Sequence, residues 1–227
     1  MKLTFRWYGE TDSIPLDYIR QIPNMSGVVS SCYEVKVGEV WPIESLKKQK
    51  QLCEDKGLKF EVIESIPVHE DIKLGKPTRD KYIANYIENI RRVASIGVKV
   101  ICYNFMPVFD WTRTNLHYQN ADGSESLSFS FDDFKKLDPK NLHLPGWDES
   151  YTKEELNSLL DEYKNISHEQ LFDNLVYFLN KIIPVCDELD VKMAIHPDDP
   201  PMDIFSLPRI ISTEEDLDRL FEAVKST

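Results

Sequence analysis

A short apolar run followed by an amphipathic helix recurs five times along this chain, and that order is the strongest constraint on its fold. Strands joined through helices run parallel, so the expectation is an α/β fold with a parallel sheet and helices outside it. The first strand alternates Leu3, Phe5 and Trp7 with Lys2, Thr4 and Arg6, and Gly9 ends it. Further strands are read over 27–33, 58–66, 98–102 and 191–195. Helices are read over 15–22, over 42–56 with Gly57 as stop, and over 79–96 with Gly97 as stop. The last of these places Tyr82, Ile83, Tyr86, Ile87, Ile90, Val93 and Ala94 on one face. Ser167-x-x-Gln170 and Ser212-x-x-Glu215 open two more, and Pro184 is expected to kink the former.

Between Asp110 and Ile166 the alternation breaks for far longer than an ordinary connection. This insertion holds a turn at Ala121-Asp122-Gly123, aromatics at Phe129, Phe131 and Phe134, and Leu144-Pro145-Gly146-Trp147. A further helix is opened by the capping box Thr152-x-x-Glu155. The insertion reads as a lid, and the aromatics as its packing; the rest of 1–227 reads as a single domain.

A formal charge of -12 argues against a nucleic-acid or anionic-membrane surface. Arg6 and Glu10 interrupt the start where a signal peptide needs an apolar run, and no window reaches about 18 apolar residues, so the expected location is cytoplasmic. Cys32, Cys53, Cys102 and Cys186 are widely spaced, which predicts reduced thiols rather than disulfides.

In parallel α/β folds, sites collect beyond the carboxyl ends of the strands. Polar residues follow that rule here: Arg6 and Tyr8 after the first strand, His69 and Glu70 after the third, Asn104 and Asp110 after the fourth, His196 and Asp198 after the fifth.

The stretches R-W-Y-G at the start, V-G-E-V-W-P at 37–42, V-I-E-S-I-P-V-H-E-D-I-K-L-G at 62–75, Y-N-F-M-P-V-F-D-W-T-R at 103–113 and I-H-P-D-D-P-P at 195–201 resemble the mannonate dehydratase family from end to end. The resemblance implies a metal-dependent (β/α)8 TIM barrel that uses Mn2+ or Fe2+ to convert D-mannonate to 2-keto-3-deoxygluconate. Only five of the eight strand–helix units are counted here. The family's further metal ligands and its acid and base are therefore expected outside this chain, which reads as shortened at its carboxyl end.

Dehydration requires removing the proton beside a carboxylate and stabilising the enediolate that forms. On that reading His196 is the metal ligand. Arg6 is the candidate for the substrate carboxylate, against a plain surface ion pair. Tyr8 sits beside it. His69 and Glu70 would bind hydroxyls or support proton transfer, the alternative being a loop histidine bonded to backbone. Asn104 and Asp110 would bind hydroxyls, and Trp111 with Arg113 would wall the site or anchor the lid. Asp198 would orient His196 or touch substrate, unless it caps nearby backbone. His117, His143 and His168 are read as solvated or capping. A sugar isomerase of the same architecture and a non-catalytic half-barrel needing a partner chain are the alternatives. Two open sheet edges make a homodimer the expected assembly.

Overall fold

A computed structural model describes residues 1–137 and 152–225. His143 and Leu144–Trp147 lie outside them. The chain divides into two compact units, the first comprising Met1–Phe105, Asn174–His196 and the chain from Leu220, the second Met106–Asp173 and Pro197–Arg219.

The first unit is built on a parallel sheet of β1 (Leu3–Arg6), β2 (Met25–Ser30), β3 (Lys59–Glu64), β4 (Val100–Tyr103) and β7 (Lys192–Ile195), in the order β1-β2-β3-β4-β7. The connecting helices are α1 (Leu16–Ile19), α2 (Ile43–Asp55), α3 (Glu70–Lys73), α4 (Arg79–Ser95) and α7 (His168–Leu189). These are five consecutive strand–helix units with a parallel sheet, as the sequence order predicted, and they suit the (β/α)8-barrel type that the resemblance implies. Gly27 sets the spacing of β2 against β3, because a Cβ there would stand 2.3 Å from the Lys59 carbonyl oxygen. Only glycine lets the two backbones approach so closely.

The helix-facing core joins Val28, Ile63 and Ile101 of the strands to Ile83, Ile90 and Val93 of α4 and Leu175, Phe178 and Ile182 of α7, all buried. Phe178 meets the Tyr86 ring edge-on at 4.9 Å and lies near Tyr103 and Phe105 at 6.1 and 6.0 Å. Asn89 breaks the expected apolar face of α4 and is nevertheless buried. Its side chain accepts from Trp41 N and donates to Glu39 O, satisfying the loop before α2.

Several expected boundaries shift. β2 ends at Ser30 and β3 at Glu64, both earlier than the apolar runs suggested. His69, whose alternative reading was a loop histidine bonded to backbone, is the N-cap of the single turn of α3. No end was expected at Pro184, and α7 runs on through it to Leu189.

In the second unit, Asn115–Gln119 (β5) and Glu125–Ser128 (β6) form an antiparallel hairpin that the sequence pattern did not disclose, since both strands are largely polar and exposed. The expected turn at 121–123 lies between them, with Asp122 Oδ1 accepting from Ser124 N. Phe131–Phe134 (α5) buries Phe134 against Phe129 and Phe205, at 5.5 and 4.7 Å. Lys153–Tyr163 (α6) carries the expected capping box of Thr152 and Glu155. The cap of Glu214–Ala223 (α8) is displaced by one residue. Asp216 Oδ2 accepts from Ser212 N and Thr213 N, while Thr213 Oγ1 accepts from Asp216 N, so the box is Thr213 with Asp216 rather than Ser212 with Glu215. Leu220 of that helix is buried and Phe221 is exposed.

Candidate active site

Arg6 leaves the carboxyl end of β1 on the face that Glu64 occupies at the end of β3. Its Nη1 donates to the Glu64 carbonyl oxygen and lies 3.2 Å from Glu64 Oε2. The guanidinium carbon stands 5.1 Å from the Tyr8 ring centre and 5.9 Å from that of Tyr33, at distances where the ring quadrupoles attract a cation. The two rings are themselves 5.9 Å apart. Tyr33 donates to the Trp7 carbonyl oxygen at 3.3 Å, and burial pushes its phenol up. Beside this group opens a cleft of about 480 Å³ whose walls include Trp7, Tyr8, Tyr33 and Lys48. Aromatic faces next to charged groups suit a polyhydroxylated, charged ligand.

Cys102 pairs with Glu64 across β3 and β4, and with Ala194 across β4 and β7. Burial and then the Glu64 charge push its thiol up, against Arg6, so it is a neutral neighbour and not a thiolate nucleophile. Asn104 follows β4 and His196 follows β7, with His196 N donating to the Tyr103 carbonyl oxygen at 2.7 Å. His196 is exposed at its strand end. All four cysteines are free. Among the described residues, no three His, Cys, Asp or Glu side chains are grouped to hold a metal ion.

His69 and Glu70 sit elsewhere in this unit. His69 caps α3: its Nδ1 accepts from Asp71 N, and its ring stacks on Tyr82 at 3.5 Å. Gly38 closes over both rings, since a Cβ there would come within 2.7 Å of each. Glu70 is buried with Lys73 at 2.7 Å.

Burial lowers the His69 pKa below 6.5, with Lys73 and Lys76 acting in the same sense and Asp71 and Glu70 opposing. A depressed folded-state pKa gives a contribution that is complete above 6.5 and is lost as pH falls through the folded value. Protonation also removes the lone pair that caps α3. Thermal melts from pH 8 to pH 5 are therefore expected to cost the native chain about 1 kcal/mol more than His69→Asn, whose amide caps without titrating. Parallel curves would show that the cap does not titrate.

In the second unit, Arg113 forms a bidentate pair with Asp199 at 2.9 and 2.7 Å, and lies 6.0 Å from the Trp111 ring. Asp198 takes the backbone-capping role that was the plainer alternative for it: its Oδ2 accepts from Ile211 N at 2.6 Å and from the Ser212 hydroxyl at 3.2 Å. Asp110 acts electrostatically on Arg209, a buried cation that donates to the Phe109 carbonyl oxygen at 2.6 Å. His117 faces Glu125 and His168 faces Asp203, both on the surface.

The sequence reading passed over Tyr33, Glu64 and Arg209. Glu64 was within reach of the strand-end rule that picked out Arg6, but the apolar run continues to Ile66 and moved the expected strand end past it. Arg209 lies in P-R-I-I and carries no pattern of its own.

A parallel five-unit sheet with an arginine, paired tyrosines and an exposed histidine at its strand ends defines an α/β scaffold of (β/α)8-barrel type, a class in which sites collect at the carboxyl ends. The family model for D-mannonate dehydratase (UxuA) matches residues 1–227, and the chain belongs to that family. Mannonate dehydratases from Streptococcus uberis and Thermotoga petrophila are 55% and 54% identical, over 96% and 100% of this chain. The chain spans 64% and 66% of their lengths. The crystal structure of mannonate dehydratase from Streptococcus suis serotype 2 superposes on all of this chain with a TM-score of 0.91 at 49% identity, the chain covering 62% of it.

Proposed function

We propose that this chain supplies the substrate-carboxylate subsite of a D-mannonate-dehydrating hydro-lyase. The observation that carries this reading is Arg6, held at the end of β1 between Glu64, Tyr8 and Tyr33 in a chain matched throughout by the dehydratase family.

Dehydration begins with loss of the proton on C2, beside the carboxylate. A guanidinium bonded to that carboxylate stabilises the negative charge as it spreads onto the oxygens, and more strongly in the enediolate than in the ground state. Arg6 is assigned this role. Tyr8 walls the sugar chain, and Asn104 takes a hydroxyl. His69, Glu70, Asp110, Trp111, Arg113 and Asp198 stay candidates for hydroxyl binding or for shaping the site. The described residues do not by themselves fit a complete Mn2+ or Fe2+ centre. His196 is proposed as this chain's share of the ligands. The general acid and base are not assigned to residues of this chain.

The segment over 110–166 is proposed as a lid, supported by the capped and internally packed elements within it. A cytoplasmic homodimer is proposed as well. The free thiols support a reducing compartment, and no described helix is long and apolar enough to cross a membrane.

Calorimetric titration of the 227-residue chain tests the reading. D-mannonate is expected to bind, Arg6→Met to weaken it about tenfold or more, and D-mannitol, which lacks the carboxylate, to be indifferent to that change. A second polypeptide covering the part of the relatives that this chain does not span is expected to bring metal-dependent 2-keto acid formation. Equal binding of D-mannonate by both chains removes Arg6 from the site.

A further inference from the structure

The Arg6 head is restrained from one side. Its Nη1 is committed to the carbonyl oxygen and carboxylate of Glu64, and its Nε is buried without an acceptor among the described residues. Both side chains keep an open portion, Arg6 30% exposed and Glu64 39%. An ion pair this exposed adds little to stability, so stability is a poor reason to place these two charges at a strand end.

Toward an anionic ligand, Glu64 acts in two ways. It fixes the plane of the guanidinium, so a carboxylate meets a donor fork whose orientation has already been set. It also sets a negative charge within the reach of Coulomb forces on that ligand. One carboxylate bonded to Arg6 tolerates this charge, whereas a second anionic group on the same ligand feels the repulsion, and Lys48 in the cleft wall is already paired with Glu10.

We infer that Glu64, juxtaposed with Arg6 at the carboxyl ends of β3 and β1, is a specificity-determining residue that admits singly charged sugar acids and disfavours doubly charged ones, such as aldarates and phosphorylated sugar acids. The inference rests on the proposed role of Arg6. The second charge of an aldarate lies several ångströms beyond the first. At a dielectric between those of water and a protein surface, its repulsion by Glu64 changes the ratio of affinities about fivefold.

The test compares the dissociation constants of D-mannonate and the corresponding aldarate by titration of the native chain, Glu64→Gln and Glu64→Asp. The Gln variant, nearly isosteric, is expected to shift the ratio about fivefold toward the dicarboxylate, and the Asp variant to restore the native preference. Raising the salt concentration should narrow the native preference without any substitution, because exposed charges are screened. An unchanged ratio in Glu64→Gln and in high salt, with D-mannonate binding still dependent on Arg6, overturns the inference and leaves the reading of Arg6 standing. Failure of the native chain to bind D-mannonate at all overturns both.

Discussion

Replacing Phe178 by Ala is expected to lower the unfolding free energy by about 3–5 kcal/mol, a large part of the stability of a domain of this size. The ring is fully buried on α7, where the apolar face of that helix meets α4 and the back of the sheet. Three aromatic neighbours surround it: Tyr86 edge-on at 4.9 Å, Phe105 at 6.0 Å and Tyr103 at 6.1 Å. Truncation removes the transfer free energy of the ring, the edge-to-face contact and the dispersion contacts across the gap. The aromatic walls belong to separate elements and cannot all close into the space. Phe178→Leu refills most of the volume and should lose well under half as much. Urea unfolding followed by circular dichroism measures both. A deficit below about 1 kcal/mol for the alanine variant would mean that α7 repacks freely, against the interlocked contacts described here.

The parallel sheet was legible because its evidence is periodic. Apolar strands, amphipathic helices and the glycine stops at Gly57 and Gly97 agree with one another, and each follows from local chemistry. Asn89 and the β5–β6 hairpin were illegible for the opposite reason. Asn89 is buried by partners about fifty residues away in sequence, Trp41 N and Glu39 O, and a window over α4 contains neither. The hairpin has polar strands with little inward face, so it leaves no alternation to detect.

The candidate site was legible by position more than by partner. The strand-end rule located Arg6, Asn104 and His196 at the ends of β1, β4 and β7. It could not show that Arg6 is held by Glu64 and flanked by Tyr33, because that requires three strands to be placed side by side. His69 shows the reverse case. The sequence set it in a loop after a strand, and the structure gives its imidazole to the first turn of α3, where Asp71 N needs an acceptor.

Arg209→Met is expected to cost about 3–5 kcal/mol at pH 8, because the substitution leaves negative charge in the second unit without its buried cation. Arg209 is 5% exposed and Asp198 7% exposed, and Asp110, Asp203 and Asp199 also act on the guanidinium. Burial already holds the Asp198 carboxyl above its usual 3.8, against the lowering by Ile211 N, Arg209 and the Ser212 hydroxyl. A raised folded-state pKa means that the folded chain keeps the proton more tightly. The contribution of this group is therefore complete below the unfolded value and declines as pH rises through the folded one. Removing Arg209 raises that pKa further, so the deficit of Arg209→Met should be greatest at pH 8 and narrow progressively on acidification. Adding Asp198→Asn removes the charge while keeping an oxygen for Ile211 N, and should recover most of the loss at pH 8. Urea unfolding of the single and double variants across this range separates two explanations. A deficit that is constant with pH and unrelieved by Asp198→Asn would place the cost in the abandoned Phe109 carbonyl and the packing of the Arg209 side chain, whereas a pH-dependent deficit that this second substitution relieves assigns it to the buried charge.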